Sequence, residues 1–209
     1  MAGLLTNFRT TIIVSLILAA LLLAAAGFVT PRGFDREFAR AVLNWAMAVS
    51  GLLWLGLLCY FNFVQFRVWS QIPAEQKSIV NLYITPEVLF WVRWASLATI
   101  LFGALAMTAH AGTYLVEIMT LGFARGYGSG DQAYTVMGAG AWLALIMFLN
   151  TWAVIWPNQR RALNIGQGVV EHDEDTRAKA ARVAMLSTRV NLLLSVPMLT
   201  YLAVQPLFG

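Results

Sequence analysis

Two arginines and a set of side-chain amides stand inside stretches that are otherwise apolar, and these are the residues with chemistry to offer. Arg93 lies between Trp91 and Trp94, and Arg189 lies two positions before Asn191. Asn62, Gln65 and Asn150 sit in similar apolar runs, with Asn158 and Gln159 just beyond. Charged and amide groups at lipid depth are expensive, so each needs a partner or a purpose. Arg93 and Arg189 each enter about two turns from the same side of a bilayer, at the depth of the amides. Two guanidinium groups ringed by amides would receive a planar anion through forked hydrogen bonds. The structural alternative is a network in which arginines snorkel and amides cross-link helices for about 0.6–2 kcal/mol each.

A second constellation is His110 with Met47. His110 is the one histidine in an apolar segment, and Met47 falls at about the same depth on another run, so the pair could ligate a b-type haem. His172 is on the far side of the membrane and cannot complete a bis-histidine site. Packing is the competing role for Met47, one of eight methionines. Cys59 is the only cysteine, which excludes an internal disulfide, a thiolate metal site and covalent haem attachment.

The elements that must position these groups are transmembrane helices. The chain is 59% hydrophobic and 11% charged, against about 25% charged in soluble domains. Five runs reach the roughly 20 residues that a helix needs to cross a bilayer core. They cover Thr10–Val29, Val42–Phe66, Pro86–His110, Met137–Trp156 and Val183–Val204. The expected fold is therefore all-α, a polytopic bundle filling the 209 residues as one integral membrane domain. Pro86 should open the third span and Pro157 should stop the fourth, because proline cannot continue a helix. Pro197 should bend the fifth. Ala24-Ala25-Ala26 resembles a signal cleavage site, yet the run before it is too long for a signal core, so a retained helix is expected.

Lysines and arginines fix the expected orientation. Eight (Arg9, Arg67, Lys77, Arg160, Arg161, Arg177, Lys179, Arg182) fall on the amino-terminal side and four (Arg32, Arg36, Arg40, Arg125) on the other. That excess puts the amino terminus in the cytoplasm and the carboxyl terminus outside. The net charge of +4 is scattered, with no dense basic run, which argues against nucleic acid as a partner. Glu171–Arg182 places acids first and bases last, with Asp173–Arg177 and Asp175–Lys179 spaced to pair on a helix. Between spans three and four, Thr113–Ala124 is apolar enough to lie at the interface, and Arg125–Asp131 reads as a glycine-rich turn without the strand a nucleotide fingerprint requires.

Four ordered blocks carry a family resemblance. They are Trp54–Gln65, then Ile72–Glu75 with Phe90–Ala95, then Asn150–Arg160, and last Ala184–Asn191 with Ser195–Leu199. Together, across roughly Leu43–Tyr201, they resemble the membrane domain of bacterial cytochrome-c-linked urate oxidases. The resemblance implies a helical domain of the bacterial cytoplasmic membrane that oxidises or hydroxylates urate and passes electrons to a fused c-type cytochrome outside the cytoplasm. Arg93, Asn62, Gln65, Asn150, Asn158, Gln159, Arg189 and Asn191 fall on matching motif positions.

This chain departs from that pattern in having no Cys-x-x-Cys-His module, in carrying Met47 where a histidine is common, and in a longer Ala111–Ala133 connection. Two functions follow as expectations. One is an accessory, non-catalytic subunit of a larger membrane redox complex. The other is an oxidoreductase component acting on urate or a similar planar anion, with a separate cytochrome as acceptor. A transporter is weaker, since no span shows paired Gly/Pro interruptions. The expected partners are lipid, other membrane subunits and a c-type cytochrome.

Overall fold

A computed structural model describes residues 5–109, 114–125, 132–165, 172–204 and 207. Among these the regular structure is all helical. The long helices are α1 (Phe8–Val29), α2 (Arg36–Gln71), α3 (Ala74–Thr108), α5 (Gln132–Leu163) and α6 (Glu174–Val204), and each is long and apolar enough to cross a membrane. A short helix, α4 (Tyr114–Met119), lies between α3 and α5. The architecture is the all-α bundle expected of a multi-pass membrane protein.

Helix starts follow ordinary capping chemistry. Asp35 accepts the Phe38 backbone N–H at 2.8 Å to open α2, and Asn7 accepts that of Arg9 at 3.0 Å to open α1. Four helices form a ring. The α2–α3 and α5–α6 hairpins have broad internal seams, and narrower ones join α3 to α5 and α6 to α2. Trp54, Leu58 and Phe61 of α2, Leu89, Val92 and Ala95 of α3, Met147 and Ile155 of α5 and Met198 of α6 fill the middle. α1 stands apart from this ring. Gly27, under the Phe34 ring, is its one buried residue.

The helices are longer than the apolar runs suggest, and the two prolines read as boundaries are not boundaries. α3 begins at Ala74 and passes through Pro86, and α5 passes through Pro157 to Leu163. Both prolines come two residues after a π-helical turn, Val80–Ile84 and Thr151–Ile155 respectively. In such a turn the N–H bonds five residues back, as Thr85 does to Val80 and Trp156 to Thr151. The wider turn shifts the carbonyl ladder, so a proline without an N–H fits with less conflict. A third π turn, Tyr60–Gln65, interrupts α2.

Two connections also resolve. α6 begins at Glu174, so the charged lead-in and the fifth span are one continuous helix. The expected Asp173–Arg177 and Asp175–Lys179 pairs do not form: the one ion pair among the described residues is Arg32–Glu37. Arg177 Nε instead donates to the Ala162 carbonyl at 3.1 Å, near the end of α5, where helix carbonyls lack internal partners. The α4 segment lies against α5. Trp142 Nε1 donates to the Met119 carbonyl at 3.0 Å, Thr135 Oγ1 donates to that of Leu121 at 2.8 Å, and Gly138 leaves room for the Ile118 carbonyl.

Candidate functional site

The polar residues singled out in the sequence lie toward the amino-terminal end of the bundle, grouped around the three π turns. They form three separate arrangements rather than one ring.

The first joins α5 to α6. Asn150 Nδ2 donates to Asn191 Oδ1 at 2.7 Å and to the Ser187 carbonyl at 2.9 Å. Asn191, fully buried, returns its own Nδ2 to Thr151 Oγ1 at 2.9 Å and to the Met147 carbonyl at 3.1 Å. The second joins α2 to α3, where Gln65 Nε2 donates to Thr85 Oγ1 at 3.0 Å. The same device operates in both. A threonine hydroxyl donates into its own helix, Thr151 to Met147 and Thr85 to Val80, and accepts an amide from the neighbouring helix. Both threonine hydroxyls are thereby satisfied without water, as buried polar groups require. The threonines were not recognisable as site residues in the sequence. Thr85 stands directly before Pro86, whereas Thr151 opens its π turn six residues ahead of Pro157.

The third joins α3 to α5 through Arg93. Its guanidinium carbon lies 3.4 Å from the centroid of the Trp156 ring and 5.7 Å from that of Trp152. Trp152 Nε1 donates to Ser96 Oγ at 3.3 Å, and Ser96 Oγ donates to the Arg93 carbonyl at 2.7 Å. Arg160 approaches the Trp156 ring at 5.9 Å. Arg93 is half-buried, and its Nε is buried without an acceptor.

The remaining candidates serve their own helices or face outward. Asn62 Nδ2 donates to the Leu58 carbonyl at 2.9 Å and Asn158 Nδ2 to that of Val154 at 2.8 Å, while Gln159 is buried. Asn62 Oδ1 and Gln65 Oε1 are buried without donors. Arg189 is exposed on α6, which packs on α5 and α2, whereas Arg93 is on α3. The two arginines thus stand on non-adjacent helices of the ring, one turned in and one turned out. Arg93 with its tryptophans can hold a cation–π contact between helices and offer an N–H edge to an acceptor.

At the opposite end of the bundle, Met47 packs toward Gly103, with its sulfur 3.0 Å from where a Cβ on that glycine would stand. His110, its suggested haem partner, lies outside the described residues. The described residues contain no cluster of three or more His, Cys, Asp or Glu side chains able to hold a metal ion.

Comparison of the chain with protein-family models, with curated proteins and with solved structures gives no match.

Proposed function

We propose that this protein is an accessory, non-catalytic subunit of a larger membrane complex, a helical scaffold whose outer face receives another transmembrane chain. The observation that supports this reading is Arg189. It is exposed within a stripe of exposed apolar residues, Leu186, Val190, Leu193 and Val196, and no acid pairs with it among the described residues. It stands about 10 Å along the helix from Arg182, too far inward for its side chain to reach the interface fully. An arginine left at such depth in lipid costs about 2.5–3.5 kcal/mol on insertion scales, and a carboxylate on a neighbouring helix would offset that. The unpacked α1 provides a second face of the same kind.

The lysine and arginine distribution supports insertion in a bacterial cytoplasmic membrane with the amino terminus inside. The four-block resemblance supports a redox complex containing a c-type cytochrome as the assembly. The test is gentle solubilisation of the tagged chain from its native membrane, followed by native sizing and quantification of co-purifying chains. A stoichiometric larger complex is expected, retained in Arg189→Lys and dissociated in Arg189→Leu. A chain that runs alone, or a complex indifferent to Arg189→Leu, overturns the proposal.

A second reading is an oxidoreductase component acting on urate or a similar planar anion. It draws on the same resemblance and on the unsatisfied Nε of Arg93, which would meet the anion. Urate-dependent reduction of cytochrome c by the purified complex, lost in Arg93→Gln, would favour it over the scaffold.

A further inference from the structure

Between α2, α3, α5 and α6, at the end of the bundle remote from the polar layer, lies an apolar cavity of about 660 Å³ with no charged residue on its walls. The polar end differs, because there two cations share one aromatic ring. The Arg93 guanidinium carbon lies 3.4 Å from the centroid of the Trp156 ring, and that of Arg160 lies 5.9 Å from it. Arg93 arrives from α3, while Arg160 stands one turn beyond Trp156 on α5. Like charges this close repel, and an anion between them offsets the repulsion. No acid of the chain supplies it among the described residues, where the one ion pair is Arg32–Glu37.

Both arginines are half-buried and keep donors to offer. Of the Arg93 nitrogens only Nε is enclosed, and the two terminal ones keep an open edge with no acceptor among the described residues. Arg160 Nε lies 3.5 Å from the Ile165 carbonyl, at the limit of a hydrogen bond, and its terminal nitrogens are not engaged. Trp156 takes one face of the Arg93 guanidinium, but the N–H bonds lie in its plane. A stacked guanidinium therefore still presents two parallel donors to the oxygens of a phosphate. One turn deeper, Trp152 meets exposed Trp94 of α3 edge to face, with ring centroids 5.9 Å apart. Tryptophans gather where hydrocarbon meets headgroups. The seam thus carries positive charge at headgroup level and aromatic surface on its inner side.

We propose that the α3–α5 seam binds an anionic phospholipid, its phosphate held between Arg93 and Arg160 and an acyl chain running inward over Trp94 and Trp152. Charge complementarity selects this occupant, since basic pockets between membrane helices take lipid headgroups of net negative charge. A zwitterionic lipid brings its own ammonium to a place that already has two cations. Phosphatidylglycerol brings a negative charge alone. The site lies on α3 and α5 and Arg189 on α6, so it stands independently of the scaffold reading, and it gives Arg93 a different anion from the oxidoreductase reading.

The test is native mass spectrometry of the full chain in neutral detergent, titrated with dioleoyl-phosphatidylglycerol or dioleoyl-phosphatidylcholine. One tightly held phosphatidylglycerol is expected, with affinity about fivefold to tenfold above that of phosphatidylcholine. Arg160→Gln, near the end of α5 where packing is least disturbed, should remove that advantage and leave phosphatidylcholine binding unchanged. Arg93→Gln should do the same, and Arg93→Lys, which keeps the charge, should lose less. Arg161→Gln removes an exposed neighbouring charge and should retain the advantage. Equal affinity for the two lipids, or a preference that survives Arg160→Gln, overturns the proposal. An equal loss in Arg161→Gln would show diffuse surface charge and overturn it too. Displacement of phosphatidylglycerol by equimolar inorganic phosphate or urate would identify a small-anion site instead.

Discussion

The Arg93 guanidinium lies 3.4 Å from the centroid of the Trp156 ring, so one face of the side chain expected to meet an anion is committed to an aromatic on the next helix. Contacts of this type contribute about 0.5–1 kcal/mol when exposed and about 2 kcal/mol when desolvated, and half-buried Arg93 falls between. In a double-mutant cycle of Arg93→Met and Trp156→Leu, followed by unfolding in mixed micelles, the coupling should be about 1–2 kcal/mol. Arg93→Lys should recover only part of it, because an ammonium does not stack as a planar guanidinium does. Additive single-variant losses would show that the two side chains are neighbours without an interaction.

Asn191 and Asn62 offer a contrast between an amide that bonds two helices and one that bonds its own. Asn191→Leu removes bonds to Thr151 and Met147 and an acceptor for Asn150, and should cost about 1–2 kcal/mol in the same unfolding assay. Asn62→Leu removes a bond to Leu58 in the same helix and an oxygen that had no donor, and should cost less than about 0.5 kcal/mol. Equal losses would sink the assignment of the α5–α6 seam to its amides.

Close approach of α4 to α5 depends on the missing side chain at Gly138. A Cβ there would collide with the Ile118 carbonyl, a backbone atom that cannot rotate away. Gly138→Ala should therefore destabilise by more than about 1 kcal/mol, as overpacked sites do. At Gly56 a Cβ meets nothing within 4 Å, and Gly56→Ala should instead stabilise α2 by roughly 0.5–1 kcal/mol through helix propensity. Thermal midpoints of the two variants, measured side by side, decide the matter by their opposite signs.

Asp173, at the start of α6, titrates below the usual carboxylate range because Thr176 hydrogen-bonds its charged form. A depressed folded-state value means that the ionised cap favours the helix above the unfolded value of about 3.9 and ceases to do so as pH falls through the folded one. The Thr176 amide resonance in selectively labelled protein should follow that titration, with a midpoint below the unfolded value. Asp173→Asn should abolish the pH response. A midpoint at or above the unfolded carboxylate value would contradict the cap.

Much of the fold could be read from the pattern of apolar runs, because lipid permits few solutions other than helices. The depth of the polar groups could be counted along those runs for the same reason, and Asn150 and Asn191 do meet across two helices. The facing of each side chain could not. These helices are apolar around most of their circumference, so nothing in the spacing distinguishes Arg93, turned toward Trp156, from Arg189, turned outward. Pro86 and Pro157 misled about helix ends because a π turn has no marker in composition, though it is what accommodates the proline. The pairing expected for Arg177 failed because the carbonyl of Ala162 comes from an element distant in sequence.

The ring of four helices is unevenly joined, with broad seams inside the α2–α3 and α5–α6 hairpins and narrow ones between them. It is built as two leaves hinged edge to edge, each complete as soon as its own pair of helices has been inserted. Two polypeptides, one carrying α1 to α3 and the other α4 to α6, should then find each other in the bilayer and rebuild the molecule. The apolar cavity lies between the leaves, so a parting of the binding would open it to lipid, with neither page unfolded.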